Sequence, residues 1–300
     1  MAGAYTTIDL SLLAPPNVVE ALDFETILAA MLADLQARDP AYSALVESDP
    51  AYKILEVAAF RELLLRQRVN DAAKGVMLSL ATGADLDQIG ANFGVQRLLI
   101  TPADDTTIPP TAAVYETDAD FRARIQLSPE GYTTAGSEGS YVYHGLSADA
   151  DVKDCQAVSA TPGEVTVYVL ARDGNGAASA GLIAAVEAAL NADRVRPMTD
   201  QVTVLSASIV NYTITAELVI YPGPDPIVVR DAAISAVTAY AEAQRRIGYD
   251  VTISGIYAAL HQPGVQRVNL TAPTANLTIG EGEASYCTAI TVTVAGATDV

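Results

Sequence analysis

Two histidines, His144 and His261, and two cysteines, Cys155 and Cys287, are the only imidazoles and thiols in this 300-residue chain. Zinc sites present their ligands in close local pairs, and these four residues stand singly and far apart. His144 follows Tyr141 by one helical turn and reads as a partly buried helix residue. The two cysteines form no disulfide framework in a chain of this length and read as small, reduced core residues. Carboxylates are abundant, and sequence-adjacent pairs occur at Asp104-Asp105, Asp118/Asp120 and Glu281/Glu283. Two carboxylates work as acid and base only in a pocket that separates their pKa values. The first pair falls in a proline-containing stretch. The second falls at a helix start, where acids complement the dipole. The third flanks Gly282 in a loop. Gly174-Asn175-Gly176 opens like a dinucleotide fingerprint but lacks the third glycine, and it reads as a turn between strand and helix. There is no Gly-x-Ser-x-Gly elbow, no phosphate loop and no His-Glu-x-x-His pair. No catalytic residue, cofactor or metal site is assigned.

Arg122, Arg124 and Arg196 offer a different chemistry. An arginine fork holds a carboxylate in bidentate geometry. With 36 acidic residues against 17 basic ones, each arginine either anchors an internal Asp or Glu or reaches another subunit. Pro197 biases Arg196 towards an extended backbone. The net charge of −19 and pI near 4.3 repel phosphate backbones and anionic lipid, so neither nucleic acid nor a membrane surface is an expected partner. That charge keeps the chain soluble, or slows self-association until a partner arrives. No run of 18 apolar residues exists; the best stretch, Ala180–Leu190, is short and broken by Glu187. Met1 to Tyr5 show no basic, then apolar, leader pattern, so synthesis and residence in the cytoplasm are expected until a particle forms.

These residues need elements to position them. Phe24, Ile27, Leu28, Met31, Leu32 and Leu35 recur at three- and four-residue steps and predict a helix, with Asp23 as its cap. Asp49-Pro50 predicts the start of a second helix, proline in the first turn. It carries Ile54, Leu55, Ala58, Ala59, Leu63 and Leu64 and extends to about Leu80, with Thr82-Gly83 as its stop. Such a helix is about 45 Å long and apolar on more than one side, so it must be covered on more than one side. Either it is an internal core helix or another chain completes its burial. A short helix follows, with Leu86, Ile89 and Phe93 on one face. The stretch 98–116, with Pro102, Pro109 and Pro110, is a linker or extended arm. Asp118 is expected to cap a helix to about Leu127, and Gly136-Ser137 to cap another to about Ser147.

From Val152 the pattern alternates and repeats. Strand 165–170, helix 180–192 and strand 200–205 are echoed by strand 214–221, helix 227–246 and strand 249–253. Asp200 and Asp250 would then enter equivalent strands. A short helix at 255–261, a strand at 266–270, a turn-rich stretch at 273–282 and a strand at 289–294 complete the chain. The fold class is α+β: an N-terminal α-helical bundle region followed by two or more small α+β modules. The expected domains are 1–97 (helical), 98–150 (arm and short helices), 151–208 and 209–300 (modules).

One ordered set of residues points to a family. It comprises Gly83-Ala84-Asp85-Leu86-Asp87, Phe93-Gly94-Val95-Gln96-Arg97 and Thr117-Asp118-Ala119-Asp120-Phe121-Arg122-Ala123-Arg124. Thr134-Ala135-Gly136-Ser137 with Tyr141 follows, then Val152 and Asp154, Pro162-Gly163-Glu164-Val165-Thr166-Val167, and the run from Arg196 to Val204. In order and spacing the set resembles the baseplate J-like family, wedge components of contractile phage tails and related injection particles. The resemblance implies a structural subunit with no turnover. Its N-terminal helices would bundle with a second copy and with a different wedge protein. Its α+β modules would join neighbouring wedges into the ring that nucleates tail growth and transmits the contraction trigger. Neighbouring sheath or hub proteins would be further partners, and a virion or tail-like particle its location. On that reading the candidate interface residues are Phe24, Ile27, Leu28, Met31, Leu32, Leu35, Ile54, Leu55, Ala58, Leu63, Arg122 and Arg124. The competing readings are a carboxylate-dependent tail hydrolase and a receptor-binding tail protein. The absence of tryptophan and the scattered tyrosines argue against the first, and the helical first third argues against the second.

Overall fold

The computed structural model describes residues 8–14, 16, 22–133, 135–223 and 225–297. Its residues group into two compact units, one helical (8–97 with 117–122) and one of mixed α and β structure (98–116 with 123–300).

In the helical unit, α1 (Phe24–Arg38) starts at Asp23, whose carboxylate accepts from the Glu25 N–H. α2 (Pro50–Gly75) pairs with α1 through Ile27, Leu28 and Ala59, all nearly inaccessible to solvent. Phe24, Met31, Leu32, Tyr52, Leu55 and Leu63 pack around these three. The second helix is therefore 26 residues long and stops short of the predicted Leu80. At Gly75 an added Cβ would lie 2.9 Å from Asp85 Oδ2, so a side chain there would collide with the next helix. That helix, α3 (Gly83–Asn92), has Thr82 at its N-cap. Thr82-Gly83 thus opens α3 instead of closing α2. The expected arm at 98–116 is a hairpin of β1 (Leu99–Thr101) and β2 (Val114–Tyr115), extended by an Asp104–Thr111 bridge. α4 (Asp118–Leu127) begins one residue earlier than a cap at Asp118 requires, and Thr117 is the cap instead: it supplies Oγ1 to the Asp120 N–H and its carbonyl to the Phe121 N–H. α5 (Glu138–Ala148) is capped by Ser137 as predicted.

Two three-stranded sheets follow. β3 (Val152–Thr161), β4 (Glu164–Ala171) and β5 (Gln201–Ser206) lie in that order, β4 antiparallel to β3 and parallel to β5. Helix α6 (Ala180–Leu190) makes the β4–β5 crossover. Val165, Val167 and Val169 of β4 meet Val202 and Val204 of β5, Leu182, Val186 and Leu190 of α6 and Tyr141 of α5 in one core. The second sheet places β6 (Ser208–Ile220) between β7 (Val265–Ala272), antiparallel, and β8 (Glu283–Ala297), parallel. α7 (Pro226–Gln244) and α8 (Ile253–Leu260) cover it through Ala233, Val237, Ile256 and Leu260.

Each module is thus a central strand with one antiparallel and one parallel neighbour and two helices on one face. The repeat is real, but its order differs. The antiparallel strand precedes the centre in the first module (β3) and follows both helices in the second (β7). The strand predicted at 249–253 is absent. Val251 makes one bridge to Leu277, and Thr252 caps α8 by accepting from the Gly255 N–H. Asp250 serves a loop, accepting from the Ile279 N–H, so it is not the counterpart of Asp200.

Candidate functional site

The spaced residues of the sequence come together as structural locks. In the helical unit, Arg97 bridges Asp87 and Asp118 at 2.8 Å each and lies 4.7 Å over the Phe121 ring. Asp118 also accepts from the Gly83 N–H at 3.1 Å. Desolvation opposes ionisation of Asp118, but the Gly83 N–H and the Arg97 guanidinium outweigh it and hold the carboxyl below its ordinary range. Arg122 donates to the carbonyls of Leu78 and Ala81, both at 2.7 Å. Those carbonyls lie in the turn between α2 and α3, so Arg122 pins the start of α4 to that turn.

In the α/β unit, Arg124 and Glu116 form a buried fork, Nε to Oε1 at 2.9 Å and a terminal nitrogen to Oε2 at 2.7 Å. Their side chains are 6% and 4% exposed. Glu116 Oε2 also takes the Leu98 N–H, and Arg124 donates to Ser147 Oγ. Tyr141 donates to Asp200 Oδ2 at 2.7 Å, tying α5 to the entrance of β5; burial, then Asp200, pushes the phenol upward. Gly136 sits at φ +71°, where a Cβ would lie 2.7 Å from both Asp200 Oδ2 and Pro197 Cγ. A side chain at 136 would break this lock. Arg196 reaches the side chain of Asn191, not a carboxylate.

The modules are joined by a polar and apolar seam. Gln156 Oε1 accepts from the Gly282 N–H at 2.9 Å and Asp154 Oδ2 from the Ile247 N–H at 2.9 Å. Leu170, Ala207, Ile247 and Ala284 form a small core around them. Lys153 pairs with Glu242, and Arg245 donates to the carbonyls of Arg172 and Gly174. Sequence reasoning noted Asp154 in the ordered set but missed Gln156 and Arg245, whose partners lie 126 and about 70 residues away.

The chemistry-bearing residues stay apart. His144 is half-buried in α5, edge-on to Tyr143, and burial lowers its pKa. His261 ends α8. Cys155 is buried beside Gly145, and desolvation raises its thiol pKa, the opposite of what a nucleophile needs. Among the described residues no three His, Cys, Asp or Glu side chains gather as a metal site, and no helix is long and apolar enough to cross a membrane.

What the helical unit does present is an apolar surface. Of the predicted interface residues, Ile27 and Leu28 are buried within the chain, and Phe24, Met31, Leu32, Leu55 and Leu63 pack on that contact. Leu35 and Ala58 are half-exposed, and Arg122 and Arg124 are internal anchors. Ile54 is 68% exposed. At 100° per residue it shares the side of α2 opposite α1 with Val57, Leu64 and Leu65, all exposed.

Comparison with known proteins agrees with this arrangement of helices followed by two modules. The Baseplate J-like N-terminal, central and C-terminal domains match residues 47–104, 133–206 and 212–293. The chain belongs to the Baseplate J-like family and is a structural component of a phage tail baseplate. It is 52% identical over 296 residues to baseplate protein J of Escherichia phage P2, covering 96% of this chain and 98% of that one. A chain in the cryo-EM structure of the anti-feeding prophage baseplate, 6-fold symmetrised, aligns with 61% of this chain and 43% of its own length, at 16% identity and TM-score 0.39.

Proposed function

We propose that the chain is a wedge subunit that joins neighbouring wedges into the baseplate ring, nucleates tail growth and passes on the contraction trigger. The observation that carries this is the apolar side of α2. A soluble helix exposes its polar side, yet here the side facing away from α1 carries Ile54, Val57, Leu64 and Leu65. Another helix, from a second copy or a different wedge protein, completes that burial. The function divides along the chain: 1–97 bundles within the wedge, 98–150 connects, and 151–208 and 209–300 reach neighbouring wedges. Sheath or hub proteins are further partners. The role is geometric, through bistable contacts instead of turnover.

Electron microscopy of particles from cells lacking the gene tests the reading. Loss of assembled sheathed tails, restored by complementation, is the expected result. Intact contractile tails that fail only to infect would overturn it and favour an accessory hydrolase or adhesin.

A further inference from the structure

β8 is an edge strand, and most of its outer edge lacks the charges and prolines that commonly guard one. Natural edge strands are protected by lysine, proline, inward charges, bulges, a covering element or short length. β8 is 15 residues long, and residues 284–297 contain no charge and no proline. Among the described residues its outer edge is paired only at its start, where Gly248 N–H meets the Glu283 carbonyl and Ile247 bridges Ala284. A bulge at Thr288 follows, because Tyr212 pairs with Cys287 and Thr213 with Ala289. Beyond it no described residue pairs the outer edge, and the register shifts once more between Val294 and Gly296.

Beside this edge lies a groove of about 180 Å³ between α7 and β8, lined by Thr238, Ala241, Glu242, Arg245, Tyr286 and Ile290 among others. Arg245 has its guanidinium 5.2 Å from the Tyr286 ring centre, and its terminal nitrogen holds two carbonyls. Its Nε is buried and has no acceptor among the described residues. Buried donors are nearly always paired.

We infer that this groove receives an extended, carboxylate-bearing segment of another tail protein, which adds to β8 as a fourth strand. The unpaired main chain of an edge is satisfied by another extended main chain, and the adjoining groove supplies side-chain selection. The carboxylate answers Arg245. A second copy pairing through its own β8 does not fit. α7 packs chiefly on β8 and α8. Strands in a sheet are about 4.8 Å apart and a helix is about 10 Å wide, so two α7 helices on one face of a joined sheet would collide. A lone segment with no helix above it has room.

This inference rests on the baseplate reading only for the source of the segment. The test titrates the full-length chain with overlapping synthetic peptides tiling the other tail proteins of the same particle. Hydrogen exchange is followed at residues 289–295. The expected result is a peptide containing Asp or Glu that binds and slows exchange along β8. Its affinity should fall about tenfold or more when its acid is replaced by the amide, and again with Thr238→Trp, which fills the groove from an exposed position. Three outcomes overturn the inference: no peptide binding at up to about 1 mM, binding that leaves β8 exchange unchanged, or β8 protection that appears with rising concentration of this chain alone. Absent tails in the deletion strain together with any of these would leave the assembly reading standing and remove strand addition.

Discussion

Arg124 and Glu116 show what a single residue pair does here. Breaking a buried ion pair from one side leaves an uncompensated charge and costs about 3–5 kcal/mol. Glu116→Gln is therefore expected to lower the unfolding free energy of the isolated chain by that order, while Arg230→Gln, at an exposed pair with Asp231, changes it by less than about 1 kcal/mol. Equal effects in urea titration would refute the assignment. Asp154 gives a pH prediction. Desolvation raises its pKa, against the lowering effects of the Ile247 N–H, Arg246, the Cys155 N–H and Lys153. A carboxyl whose folded pKa lies above the unfolded value contributes stability below the unfolded pKa, and that contribution is lost as pH rises through the folded one. The stability of the wild type relative to Asp154→Asn should thus decrease as pH rises from acid through the carboxylate range. A difference that grows with pH would show the opposite shift.

At the scale of elements, the two sides of α2 should behave differently. Ala59 is fully buried against α1; Ala59→Asp places a carboxylate in that contact, costs several kcal/mol and should remove α1–α2 helicity in circular dichroism. Ile54→Asp and Leu65→Asp lie on exposed positions. They should leave the isolated chain's stability within about 0.5 kcal/mol while abolishing tail assembly in complementation. Normal tails from the Ile54→Asp, Leu65→Asp double variant would remove the bundle reading. Elements also explain where pattern reading failed. Tyr249, Val251 and Ile253 alternate like a strand, but Thr252 is placed to cap a helix, and the cap prevailed. β3 is not legible as a strand in the sequence because Lys153, Asp154 and Gln156 interrupt its apolar alternation. Those three face the seam with the second module, where distant partners compensate them.

For the whole molecule, the seam sets cooperativity. The Ala207 N–H bonds the Val169 carbonyl, Gln156 holds Gly282, and Leu170 is buried by residues of the second module. The two modules should unfold in a single calorimetric transition. Gly282→Ala tests the seam: at φ +70° an added Cβ would approach the Tyr168 ring to 2.6 Å. The variant should split that transition in two or lower it by several degrees. Separate module transitions in the wild type would sink the idea of a single cooperative body.

The sequence by itself determined the α+β class, the caps at Asp23 and Ser137, most elements and the ordered residues that mark the family. All of these follow from local spacing, where helix period, strand alternation and cap chemistry act within a few residues. Only the tertiary structure decided what the marked residues do. Arg97, Arg122 and Arg124 each had acidic and carbonyl candidates throughout the chain, and a long-range fold was needed to select Asp118, Leu78 and Glu116. The same holds for α2: its pattern showed apolar residues on several sides, and the packing of α1 decided which side was covered and which was left exposed. Burial is a property of which segments meet in space, and a chain written in order does not record it.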